Sequence, residues 1–324
     1  MAPAELRPLG LSQIHVSPVA LGCWPIAGMT SLDVNEADSL ATLQAALDCG
    51  INFFDTAYCY GLEGESEKLI ARAIRGQRDR VVLATKGGIR FVSKEERVLD
   101  ARPETLRAQC EESLRRLQSD YVDLYYLHAP DATTPVVDSA AAIRQLQAEG
   151  KTKAAGASNL SFEQLQQFHA VCPLTAYQPP YNMLQRQIES DVLPWCRERN
   201  ISLVIYWPLL KGLLAGKLPR DFVFRPGDGR AKYPMFQGEE WERNQDFLDR
   251  LRELSAEIGK SVAQIVINWT IHQPGITAAL CGAKRPEQIR ESAVSMGWRL
   301  TAEQQARIDA ALAERGQPLV QGAV

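Results

Sequence analysis

Four side chains able to manage a proton at a carbonyl oxygen stand at the ends of successive short apolar runs. Asp55 follows Ile51–Phe54, with Tyr60 just beyond; Lys86 follows Val81–Thr85; His128 follows Val122–Leu127. A tyrosine hydroxyl ordinarily ionises near pH ~10, too high for easy proton exchange at neutrality. A neighbouring ammonium favours the phenolate and is expected to lower that value. An Asp paired with the Lys holds it in place, and a His can fix a carbonyl oxygen by a hydrogen bond. Together they make a general acid suited to protonating an alkoxide as it forms. No Ser or Cys is paired with a His by motif, so acyl transfer is a poor fit. The carboxylate pair of a glycosidase is missing too. Carbonyl reduction needs a hydride that no side chain supplies, so a cofactor is implied.

Each residue has a plainer role taken alone. Asp55 could cap a helix. Lys86 could be solvated, His128 could be a satisfied core histidine, and Tyr60 could simply pack. Those roles would have to coincide at the ends of neighbouring runs, which argues for one shared rim.

The elements that position this rim alternate along the chain. Strands are expected at Val19–Gly22, Ile51–Phe54, Val81–Thr85, Val122–Leu127, Lys153–Ala157, Leu174–Gln178, Ser202–Tyr206 and Thr277–Cys281. Most are near-continuous apolar runs, as buried parallel strands require. Helical spacing appears between them, as in Leu40, Leu43 and Leu47, or Leu106, Cys110, Leu114 and Leu117. Ser161 with Gln164 and Thr301 with Gln304 read as capping boxes. Eight strand–helix units predict a closed (β/α)8 TIM barrel, whose sites lie at the C-terminal strand ends. No GxGxxG follows the first strand, against a doubly wound sheet. Residues 6–16 read as an N-terminal hairpin able to plug the barrel floor. An irregular stretch runs from Tyr206 to about Gln237, followed by an extra helix at Glu239–Ile258, the barrel helix Val262–His272 and a C-terminal helix. A long connection of this kind is usually functional or flexible. No linker is seen, so residues 1–324 are expected to form one domain.

Composition narrows the class. The chain has 324 residues, a net charge of −3 and no basic stripe, which argues against nucleic acid as a partner. Seven Cys without a CxxC, and only four His, give no zinc-ligand spacing, so no metal is expected. Scattered thiols suit a reducing cytoplasm. Cys23 and Cys59 read as small packing residues. The N-terminus lacks a signal-peptide pattern, and no apolar run reaches the ~20 residues of a membrane span.

The run Gly50-Ile51-Asn52-Phe53-Phe54-Asp55-Thr56-Ala57-Tyr58-Cys59-Tyr60-Gly61 resembles the signature of the aldo-keto reductases. The resemblance continues through Thr85-Lys86, Asp123–His128, Gly156–Asn159, Gln178–Asn182, Tyr206–Leu209, Gly212–Lys217 and Gly282–Gln288. It implies a tetrad of Asp55, Tyr60, Lys86 and His128, with Tyr60 as proton donor. It also implies that Ser158, Asn159 and Gln178 hold a nicotinamide carboxamide on which Tyr206 stacks. Leu209, Lys211, Gly212 and Lys217 would line the pyrophosphate, and Trp207 and Pro208 would also touch the cofactor. Gly282, Lys284, Gln288, Glu291 and Ser292 would surround the adenosine ribose. Trp24, Tyr58 and Trp207, with Phe236, are candidate substrate walls.

Two departures stand out. The best-known branch grips the ribose phosphate with a Lys, a Ser and an Arg; here Gly282, Ala283 and Gln288 stand there, with Lys284 and Arg285 as nearby cations. NADPH/NADP+ is thus favoured, with NAD as the alternative. Gln13 stands where the hairpin commonly has Gly. The expected activity is reduction of aldehydes, ketones or open-chain sugars. The alternatives are an NAD-dependent sugar or polyol dehydrogenase and a cofactor-sensing subunit similar to the auxiliary subunits of potassium channels. The partner is a small carbonyl compound or sugar; both monomer and homo-oligomer stay open. Specificity would come from residues Trp24–Leu32, Ala129–Pro135 and Lys211–Gln237 and from the tail through Val324.

Overall fold

The computed structural model describes residues 5–29 and 31–319. Part of the first loop, at Thr30, and the end of the tail, 320–324, lie outside the described residues.

Eight parallel strands close into a barrel: β1 (Val19–Gly22), β2 (Phe53–Asp55), β3 (Val82–Gly87), β4 (Val122–Leu127), β5 (Thr152–Ser158), β6 (Ala176–Gln178), β7 (Ser202–Ile205) and β8 (Ile276–Gly282). Each pairs with its sequence neighbours, and β8 returns to β1 through Ala279–Gly282 against Val19–Gly22. The eight expected runs are the eight barrel strands. Their ends move by a few residues, and β2 and β3 extend to include Asp55 and Lys86.

Side-chain parity decides what reaches the barrel axis, because successive residues of a strand face opposite ways. Along β4, Tyr125 and Leu127 join the core between barrel and helices, whereas Leu124 and Tyr126 point inward. The interior cluster also holds Ala20, Phe53, Ala84, Ala154, Ala176, Val204, Ala278 and Leu280. Two residues beyond these inward positions come Asp55 after Phe53, Lys86 after Ala84, His128 after Tyr126, Gln178 after Ala176 and Tyr206 after Val204. The alternation that fills the core therefore also delivers the polar residues to the mouth. Gly156 makes room for the Tyr126 ring, since a Cβ there would lie 2.4 Å from it.

The floor is closed by the hairpin Arg7–Pro8/His15–Val16, whose Leu9 and Val16 belong to the interior cluster. Arg7 donates to the carbonyls of Ile271, Ile276 and Thr277. The left-handed residue of this turn is Gly10, at φ 55°, and not Gln13. Both expected capping boxes form, at Ser161/Gln164 and Thr301/Gln304. The extra helix spans Gly238–Ile258. A second hairpin, Ile89–Phe91/Arg97–Leu99, follows β3, where the sequence pattern gives no strand. Its only signal is a pair of short alternating runs around the polar turn Ser93–Glu96. No described helix is long and apolar enough to cross a membrane.

Candidate active site

At the C-terminal mouth, Asp55 and Lys86 are both 1% exposed and form a buried ion pair. Lys86 Nζ also donates to the Thr56 carbonyl at 2.7 Å and lies 3.5 Å from the Tyr60 hydroxyl. The His128 ring meets Tyr60 edge-on, with centroids 5.9 Å apart. The four residues expected to act together therefore share one cluster. The turn carrying Tyr60 is fixed by backbone bonds from Tyr58 N to Lys86 O and from Ser66 N to Tyr60 O.

Burial, and next the Asp55 charge, push the Tyr60 phenol well above its ordinary value. This corrects the expectation that Lys86 would lower it. The ammonium is already paired with Asp55, and removing a phenolate from water costs more than that ammonium returns. Burial also drives His128 well down, helped by Lys86 and Arg97, so its imidazole is neutral at neutral pH. Asp55 is pushed up by burial, against the opposing pull of Lys86 and Gln178. Cys59 is more than packing: its Sγ faces His128 Nδ1 at 3.6 Å, and burial raises the thiol to about 12.

Beside the tetrad, Gln178 Nε2 donates to Asp55 Oδ2 at 2.8 Å. Ser158 Oγ donates to the Gln178 carbonyl at 2.7 Å. Asn159, in the left-handed region at φ 58°, donates to the His128 carbonyl and accepts from the Tyr206 hydroxyl, both at 2.8 Å. Ser158, Asn159, Gln178 and Tyr206 thus form one network continuous with the tetrad.

The backbone after β7 is unusual. Trp207, Leu210 and Lys211 all have positive φ, as does Gly212. Pro208 is buried, and Leu209 is half-buried. The Lys211 ammonium lies 3.7 Å from the centroid of the Trp207 ring and 4.5 Å from that of Tyr233. No carboxylate pairs with it among the described residues. Burial, with Lys232 nearby, lowers it to about 8. A cation left without an anion on a strained loop fits a diphosphate group.

Other expected cofactor residues are already engaged with one another. Lys217 bonds Glu291 Oε2 at 2.5 Å, and Ser261 Oγ donates to the other oxygen of Glu291 at 2.9 Å. Lys284 Nζ is held by the Leu32 carbonyl. Gln288 Oε1 accepts from the backbone of Lys284 and Arg285, and the buried Ser292 hydroxyl donates to Gln288 O. Gly282 and Arg285 are exposed.

Of the expected walls, Trp24 stands edge-on to Tyr60 at 5.0 Å and near Phe91 at 5.8 Å. Phe91, on the second hairpin, stands beside Trp24 at a place that the sequence pattern does not reveal. Trp207 meets Tyr206 edge-on at 5.1 Å. One face of the Tyr58 ring is taken by Arg116 at 4.4 Å. Phe236 is buried between Phe224 and Trp241 and packs the long loop instead of lining the mouth. A cleft of about 380 Å³ opens beyond β4–β6, lined by Ala129, Pro130, Asn159, Pro179 and Ile188 among others; no tetrad residue lines it. No cluster of His, Cys, Asp and Glu among the described residues could hold a metal ion.

Residues 18–313 match the Aldo/keto reductase family. The chain is 37% identical to the aldo-keto reductase YhdN of Bacillus subtilis over 302 residues, covering 92% of this chain and 91% of that one. It is 32% identical to the NADH-specific methylglyoxal reductase of Escherichia coli, covering 91% and 94% respectively. Its fold is similar to that of the glycerol dehydrogenase AKR11B4 from Gluconobacter oxydans, with a TM-score of 0.90, 36% identity and coverage of 100% and 99%. With a tetrad at the mouth of a parallel barrel, and likeness of this extent, the chain belongs to the aldo/keto reductase family of oxidoreductases.

Proposed function

We propose that this protein reduces small aldehydes and ketones, with Tyr60 as the proton donor and NADPH as the preferred cofactor. The observation that carries this reading is the convergence of the Tyr60 hydroxyl, the Lys86 ammonium and the neutral His128 ring at one opening. A bound nicotinamide supplies the hydride. The chain's own residues do the rest. Tyr60, kept protonated by burial, donates to the carbonyl oxygen and then gives up its proton as negative charge develops there. Lys86 stabilises the phenolate left behind. His128 orients the same oxygen: a protonated Cys59 thiol donates to Nδ1, so the ring proton stays on Nε2, facing the substrate. Ser158, Asn159 and Gln178 would hold the carboxamide, Tyr206 would stack on the ring, and Lys211 would meet the diphosphate.

The aromatic wall of Trp24 and Phe91 beside Tyr60 suits short carbonyl compounds, such as 2-oxoaldehydes and small hydroxyaldehydes. The methylglyoxal reductase and glycerol dehydrogenase among the relatives support that class. One observation favours a second reading with NAD: the Lys284 ammonium is engaged by Leu32 O, which leaves Arg285 as the freer cation for a 2′-phosphate. The test is oxidation of NADPH and of NADH with a panel of short aldehydes. Turnover with NADPH and a lower KM for it than for NADH are expected. Absence of turnover with every carbonyl would overturn the reading, and preference for NADH would select the second one.

A further inference from the structure

The turn carrying Tyr60 has a hold outside the tetrad. Arg116, near the end of helix Pro103–Leu117, has a side chain 8% exposed. Its Nη1 donates to the Tyr58 carbonyl at 3.0 Å and to Glu67 Oε2 at 3.2 Å, and its guanidinium covers the Tyr58 ring. Glu67, on helix Glu65–Ala73, is fully buried, and its other oxygen accepts from Thr85 Oγ1 at 2.7 Å. Thr85 is the strand neighbour of Lys86, and Tyr58 lies two residues before Tyr60. One buried ion pair therefore grips both the strand that holds the ammonium and the turn that holds the phenol. Gly64 opens the way for it: φ there is +74°, and a Cβ would lie 2.5 Å from Arg116 Nη1.

Burying two charges is costly, and an apolar pair of similar volume often stabilises a fold equally well. Stability alone gives little reason for this pair; geometry gives one. We propose that Arg116, backed by Glu67, is a positioning pair that sets the approach of the Tyr60 hydroxyl to Lys86. The proposal rests on Tyr60 being the acid. A small misplacement of a reacting group costs up to about 100-fold in rate.

The test is the double variant Glu67→Gln/Arg116→Met, which leaves no buried charge unpaired, measured beside Tyr60→Phe and Arg116→Lys. In the double variant, kcat should fall by roughly 30- to 100-fold, with KM and cofactor affinity within about twofold. Arg116→Lys should fall between it and wild type, because an ammonium cannot serve Glu67, the Tyr58 carbonyl and the Tyr58 ring together. A second readout needs no turnover. With ¹³C-labelled tyrosine, the Tyr60 resonance (assigned by its loss in Tyr60→Phe) should shift and titrate at a different pH in the double variant. Wild-type kcat with an unmoved Tyr60 resonance in a folded double variant would overturn the proposal. Should that variant not fold, Arg116→Lys takes its place: a lowered kcat with a moved Tyr60 resonance supports the pair, and wild-type kcat with an unmoved resonance overturns it. Wild-type turnover in Tyr60→Phe would instead overturn the acid assignment, a separate result that the resonance does not depend on.

Discussion

Gln178 Nε2 donates to the Oδ2 of Asp55 at 2.8 Å, while Lys86 takes Oδ1. The carboxylate is thus satisfied from two sides by residues of two different strands. One of the two Nε2 hydrogens is committed to Asp55, which turns that end of the amide toward the carboxylate and leaves Oε1 to accept from a carboxamide. Gln178→Leu would leave one oxygen of a buried carboxylate without a partner, a loss of about 1–3 kcal/mol. Urea unfolding should show a destabilisation of that order. Calorimetric titration with NADPH should show weaker binding in the same variant. Unchanged values of both would show that the contact carries no weight.

The raised phenol and the lowered imidazole fix the response to pH. Tyr60 stays protonated through neutrality, so the reductive kcat should be level from about pH 6.5 to 9, whereas the reverse oxidation, which needs the phenolate, should climb with pH. For stability, a folded phenol raised above its unfolded value of ~10 holds more protons than the unfolded chain above that pH. Its contribution is complete below pH ~10 and is lost as pH rises further. The depressed His128 works at the other end: the unfolded imidazole takes up a proton below pH ~6.5 and the folded one does not, so stability falls as pH drops through that value. Unfolding midpoints across pH, compared with Tyr60→Phe and His128→Gln, check both limbs; each variant should flatten its own.

Lys211 is lowered to about 8 by burial. Its ammonium is therefore partly lost just above neutrality, and affinity for a diphosphate-bearing cofactor should decline as pH rises through that value. Lys211→Met should weaken cofactor binding by roughly 10- to 100-fold below pH 8, the range expected for one charge-assisted hydrogen bond. The variant should also lose the pH dependence. Fluorescence titration with NADPH at several pH values measures both.

The Cys59 thiol faces His128 Nδ1. In the proposed arrangement the thiol donates to Nδ1 and holds the ring proton on Nε2, and Cys59→Ala removes that donor. The ¹⁵N shifts of His128 should move toward a tautomer mixture, and kcat should drop by several-fold through loss of one weak hydrogen bond. An unaltered tautomer would show that the ring is oriented by other contacts.

Much of the fold and the site is readable from residue order, because parity couples the core to the mouth. The alternation that buries Phe53 and Ala84 also places Asp55 and Lys86 on the axis, so the strands and the tetrad are found together. The hairpin at Ile89–Leu99 is harder to see. Its runs are three residues each, with only Ile89 buried, too short for a periodic signal, and the place of Phe91 beside Trp24 is hidden with it. Phe236 misleads for the opposite reason: an aromatic in a loop looks like a wall until Phe224 and Trp241 are seen to enclose it. The direction of the Tyr60 shift is out of reach as well, since it is set by how much water the folded mouth excludes. The Arg116–Glu67 pair joins the helix that follows the motif to helix Pro103–Leu117 much further along the chain, and a single sequence does not say that they meet.

In the proposed reaction Tyr60 gives its proton to the carbonyl oxygen. Tyr60→Phe keeps the ring and removes only the hydroxyl. Single-turnover reduction of a short aldehyde by enzyme-bound NADPH should slow by about 10²–10⁴-fold, with the dissociation constant of NADPH unchanged. A variant that turns over at the wild-type rate would contradict the account.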